Sequence, residues 1–104
     1  MNAAGEAAPG RYRLRLFVAG MTLRSRRTIE VLRRICLDRL DGRYDLEIVD
    51  IYQQQDLAEA NQIIAAPTLL KLSPQPQRRI IGDLSDEARL LRGLGLPAEA
   101  PGPR

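Results

Sequence analysis

The chain has 104 residues, 44% of them hydrophobic and 28% charged, with a formal charge of +3, one cysteine and no histidine. That length suits a single domain with one modest core, and the composition excludes wholesale disorder. A lone Cys36 rules out an internal disulfide, and the lack of histidine removes the usual four-ligand zinc sites.

Aromatic residues make up 4% of the chain, so the core must be aliphatic. Lys71 is the only lysine among 16 basic residues. The arginine excess favours acidic partners, and it also suits a GC-rich genome. Residues 1–10 and 97–104 are rich in Ala, Gly and Pro without apolar periodicity, and read as flexible tails around one domain at 11–96. No basic leader and no run near the roughly 20 apolar residues of a membrane span is present, which sets a cytoplasmic expectation.

Within the domain, residues 11–19 alternate Tyr12, Leu14, Leu16 and Val18 with Arg13 and Arg15, a period of two that predicts a strand with one buried face. Over 22–40, Ile29, Leu32, Cys36 and Leu40 recur every three or four residues between arginines, which predicts an amphipathic helix. Thr22 or Ser25 offers an N-cap and Gly42 a stop. Tyr44, Leu46 and Ile48 alternate with Asp45 and Glu47, and the run through Val49 and Ile51 predicts a central, deeply buried strand. Strand, helix and strand in one short unit imply a right-handed parallel crossover.

Asp56, with Glu59 three residues on, reads as a capping box opening a short helix through Ile64. Ala66 before Pro67 forces extended backbone, and a strand follows over 68–72. The proline-containing turn at 73–77 leads to a return strand over 78–82. Ser85 reads as the cap of a last helix, with Asp86 and Glu87 in its first turn and Leu90, Leu91 and Leu94 facing the sheet. Gly93, Gly95 and Pro97 mark its end. The order βαβαββα is an α/β thioredoxin-like three-layer sandwich.

In a thioredoxin-like oxidoreductase the C-x-x-C pair sits between the first strand and first helix, where the helix N-terminus lowers a thiol pKa. Here that turn reads Gly20-Met21-Thr22-Leu23-Arg24-Ser25, and Cys36 falls on the apolar helix face as an inert core residue. Ala66-Pro67-Thr68 stands where such folds carry a cis-proline. The cluster Arg24, Arg26, Arg27, Arg33, Arg34 and Arg39 lacks stacking aromatics and is interleaved with Glu30 and Asp38, so it reads as a solvated face and not as a nucleic-acid site. No phosphate-binding glycine motif or catalytic carboxylate pair is present, so no cofactor and no nucleotide hydrolysis are expected.

The segments Tyr12-Arg-Leu-Arg-Leu-Phe-Val-Ala-Gly20, Leu57-Ala-Glu59, Ile63-Ile-Ala-Ala-Pro-Thr68 and Arg78-Arg-Ile-Ile-Gly-Asp-Leu-Ser85 resemble the KaiB family of circadian clock proteins across residues 12–94. The resemblance implies a non-enzymatic timing regulator that binds the KaiC ATPase ring, sequesters KaiA and competes with a sensor histidine kinase. It also implies self-association as a dimer or tetramer, and a second fold, βαββααβ, in a resting tetramer. It assigns partner binding to Arg27, Lys71, Arg78 and Arg79, and fold switching to Tyr12, Pro67 and Gly93.

Two departures, Gly95 in place of an acidic residue and Pro97-Ala98-Glu99 in place of a nearby tyrosine, predict that this chain favours the thioredoxin-like state. The alternative function is a thioredoxin-like sensor or interaction module of another signalling or stress-response system. Neither reading involves nucleic acid or a membrane.

Overall fold

The computed structural model describes residues 11–96; both expected tails lie outside the described residues. Seven elements follow in chain order: β1 (Tyr12–Val18), α1 (Leu23–Leu40), β2 (Tyr44–Asp50), α2 (Gln55–Ala60), β3 (Thr68–Ser73), β4 (Arg78–Ile81) and α3 (Glu87–Leu94). The βαβαββα order expected from the sequence is present. The sheet runs β2-β1-β3-β4, with β1 parallel to β2 and antiparallel to β3, and β4 antiparallel to β3.

Strand alternation divides the side chains between two faces. Leu14, Leu16, Val18, Leu69 and Ile80 join Leu32, Ile35, Cys36, Leu40, Leu90, Leu91 and Leu94 in the larger core beneath α1 and α3. Phe17, Val49 and Leu70 meet Ala58 of α2 on the other face. Because α2 is only six residues long, it covers only part of that face. The same face also carries a charge ladder, with Arg15 donating to Glu47 at 2.7 Å and Arg11 to Asp45 at 2.8 Å.

Several sequence expectations are corrected. The second strand lies at an edge of the sheet, because β1 takes the centre between β2 and β3, and Ile51 falls beyond the strand. The second helix ends at Ala60 instead of Ile64, and its N-cap is Gln54 without a side-chain bond, leaving Asp56 in the first turn. Gln62 takes a left-handed φ of 56°, which ends the helical run early.

The last helix is capped by Asp86, whose carboxylate accepts from the amides of Ala88 and Arg89, while Ser85 donates its hydroxyl to Asp83. Thr22 is the cap of α1, accepting from the Ser25 amide. Gly93 lies inside α3, and Gly95, at φ 76°, terminates it.

Candidate partner-binding surface

The β3–β4 hairpin carries three of the four basic residues assigned to partner binding, and the pleat separates them. Arg78 and Arg79 are adjacent on β4 and therefore point to opposite faces. Arg79 turns towards α2, where its guanidinium donates to the carbonyls of Asn61 at 2.8 Å and Gln62 at 3.2 Å. These are the carbonyls left open where α2 ends, so Arg79 ties the α2–β3 connection to the sheet. Arg78 lies on the α3 face, exposed and opposite Lys71 in the β3–β4 register.

Lys71 is 5% exposed, buried among the strands, with its ammonium 5.9 Å from the centre of the Tyr12 ring. Burial lowers its pKa, and the nearby Arg78 charge lowers it further. A lysine in this position packs its stem among the strands and sets its ammonium near an aromatic face. The sequence pattern did hold a signal for this: Lys71 shares the inward parity of Leu69.

Tyr12, Lys71 and the end of α3 converge on one place. The Tyr12 hydroxyl donates to the Leu94 carbonyl at 3.4 Å, joining β1 to the last turn of α3. One residue earlier, Gly93 lets α3 settle on β4 so closely that an added Cβ would stand 2.5 Å from Cδ1 of Ile80. Pro67 lies apart from this cluster, at the entry to β3, and its peptide bond to Ala66 is cis. The Thr68 hydroxyl bonds the Ala65 carbonyl across it at 2.6 Å.

Arg27 lies apart from the hairpin arginines as well. It sits near the start of α1 and lines a shallow groove with Leu23, Arg24, Asp83 and Ser85. Asp83 is held below the usual aspartate range, first by the hydrogen bonds from Ser85 and then by the charges of Arg24 and Arg89.

Two residues not singled out in the sequence, Arg89 and Arg92, share a groove with Arg78 between β4 and α3. Their spacing of three on α3 puts them on one stripe beside the Gly93 contact, a phase readable from the buried Leu90, Leu91 and Leu94.

The turn between β1 and α1 has Thr22 at the helix N-terminus and no thiol. Cys36 is fully buried about 20 Å further along the helix, at 1.5 Å per residue. Burial pushes its thiol up to about 12. That position and that pKa both oppose nucleophilic chemistry. Among the described residues, no cluster of His, Cys, Asp and Glu is arranged to hold a metal ion, and no helix is long and apolar enough to cross a membrane.

Comparison with known proteins places this architecture. The KaiB domain matches residues 15–96. The chain belongs to the KaiB family. It is 48% identical over 90 residues to the circadian clock oscillator protein KaiB of Prochlorococcus marinus strain MIT 9312, covering 86% of each chain. It is 49% identical over 85 residues to that of Synechococcus sp. strain RCC307, covering 82% of this chain and 77% of the relative.

Among solved structures, the N-terminal domain of Synechococcus elongatus SasA superposes with a TM-score of 0.66 at 21% identity, covering 91% of this chain and 93% of that one. Mitochondrial thioredoxin 3 from Saccharomyces cerevisiae gives 0.64 at 16% identity, covering 81% of this chain and 76% of that one. At these identities the likeness establishes the thioredoxin-like fold. The KaiB resemblance read from the sequence over residues 12–94 is thus borne out, and with it a place among circadian clock proteins.

Proposed function

We propose that this chain is a non-enzymatic timing regulator that binds a KaiC-like ATPase ring in its thioredoxin-like form and excludes a sensor kinase from the same ring. Its 48% identity over 90 residues to a circadian clock oscillator protein carries this reading. The shared shape with the SasA N-terminal domain supports competition, since two domains of one fold can occupy one docking surface in turn. Cys36, buried and held as a protonated thiol by a pKa of about 12, supports a role in binding without catalysis.

On this reading Arg78 is the hairpin residue that meets the ring, and Arg27 forms a second basic contact at the other end of β4. Arg79 acts through its hold on the α2–β3 connection, and Lys71 through its packing on Tyr12. Tyr12, Pro67 and Gly93 belong to the elements that a change to βαββααβ would have to rearrange. The Tyr12–Leu94 bond and the Gly93–Ile80 contact favour the thioredoxin-like arrangement, as does the Asp86 cap of α3. A KaiA-like protein is a further partner on this reading, and the cytoplasm is the compartment where they meet.

Size-exclusion chromatography of the chain with a KaiC-like ring and ATP tests the proposal. Co-elution that weakens in Arg78→Glu supports it. Failure to co-elute with any KaiC-like ring from the same genome would sink it and favour an interaction module of another signalling system.

A further inference from the structure

We propose that the outer edge of β4, with the groove between β4 and α3, binds an extended acidic segment of a partner protein as an added strand. Among the described residues β4 ends the sheet, so its outward backbone amides and carbonyls face no further strand there. In a strand of four residues, alternate residues direct both groups to that edge, enough to seat a short peptide through main-chain bonds.

The side chains define what that peptide must carry. Along this edge, exposed Arg78, Arg79, Arg89 and Arg92 line a groove of about 350 Å³ together with Ile80, Ile81 and Gly93. Ile81, 44% exposed and one pleat step from Ile80, leaves an apolar spot at the rim of this groove beside the edge. An incoming strand whose residues alternate acidic and apolar would set its carboxylates against the arginines and its apolar side chains beside Ile81.

Charged side chains on an edge strand also serve to keep copies of a protein apart. That role needs charge on the strand alone, whereas here two of the four arginines come from α3 and line the same groove as the two on β4. Asp83 already draws on Arg89, and the Arg79 guanidinium is held by the carbonyls of Asn61 and Gln62, so Arg78 and Arg92 are the groove charges best placed for a partner. A second copy of the chain is a poor occupant, because edge-to-edge pairing would bring both arginine sets together. Nucleic acid is poorly served as well, since no aromatic residue lines the groove for base stacking. The inference stands on the groove itself and not on the identity of any ring.

The test is fluorescence anisotropy of a labelled Glu-Val-Glu-Val-Glu-Val peptide titrated with the full chain. Expected are saturable binding, loss of about tenfold or more in affinity in the Arg78→Gln, Arg92→Gln double variant, and weakening with salt. N-methylation of alternate peptide amides should abolish binding, and a Lys-Val peptide of equal length should not bind. Circular dichroism of the double variant checks that its fold is unchanged.

Undiminished binding of the N-methylated peptide would overturn strand addition, because charge attraction alone would then suffice. No saturable binding, or stronger binding of an oligothymidylate of matched charge, would overturn the proposal outright. Ring co-elution that persists while the peptide fails would separate this failure from that of the timing function.

Discussion

Gly93→Ala sets two effects of opposite sign against each other. In a helix interior, alanine is favoured over glycine by about 1 kcal/mol. The new methyl, however, would stand 2.5 Å from Cδ1 and 2.6 Å from Cγ1 of Ile80, closer than such atoms approach. A clash with Cδ1 alone could be relieved by turning the end of the side chain. Cγ1 sits one bond from Cβ, so relief requires a new χ1 or a shift of α3 away from β4. Overpacking of this kind costs about 1–3 kcal/mol.

The clash therefore outweighs propensity, and Gly93→Ala should destabilise the chain by up to about 2 kcal/mol. In an Ile80→Ala background the same substitution should stabilise by about 1 kcal/mol, since only the propensity gain remains. Urea midpoints for the four members of this double-mutant cycle measure the coupling, expected at about 1–3 kcal/mol. If Gly93→Ala stabilises the unmodified chain as much as it does the Ile80→Ala variant, the close approach of α3 to β4 is refuted.

Three further predictions concern the thiol, the cap of α3 and acid sensitivity. Cys36 should react with a disulfide reagent at pH 8 at least roughly a thousandfold more slowly in the native chain than in urea, because its folded pKa is about 12; equal rates would show an accessible thiol. Asp86→Ala should cost about 1 kcal/mol, read as a drop in Tm of about 4–8 °C, and Ser85→Ala distinctly less; the reverse order would restore Ser85 as the cap.

Asp83 sits below its ordinary value of 3.8, so the folded chain holds this carboxylate ionised more firmly than the unfolded chain does. Its contribution is present above that pH and is lost as pH falls through the folded value. Asp83→Asn should therefore flatten the fall in stability below pH 4, measured by thermal melts, and an unchanged slope would assign that fall to other carboxylates.

Periods of two and of three to four located β1, α1 and β2, because the core dictates them: Leu14, Leu16 and Val18 must share one face, as must Leu32 and Cys36; turn, proline and capping signals placed the remaining four elements. The absence of a thiol between β1 and α1 was equally plain, since it is a matter of composition. The inward parity of Lys71 was readable from Leu69 on the same strand, yet a charge in the sequence suggests a surface, and only packing against Tyr12 showed otherwise. Arg79 looked equivalent to Arg78 because sequence adjacency says nothing about what lies over each face.

Pairing order was beyond the sequence as well. The apolar run through Val49 and Ile51 suggested a central strand, but a strand can be covered by α2 on one side and still stand at the edge. Asp86 and Ser85 are both good caps by type, and the choice fell to the direction in which the chain leaves Asp83.

The sequence by itself thus determined element order, core faces and family, each of which depends on residue type and short-range spacing. Tertiary structure alone decided which arginines share a groove and which strand edge is open. It likewise decided that Gly93 is there to let two elements touch. All three depend on residues distant in the chain meeting in space, and no local pattern encodes that meeting.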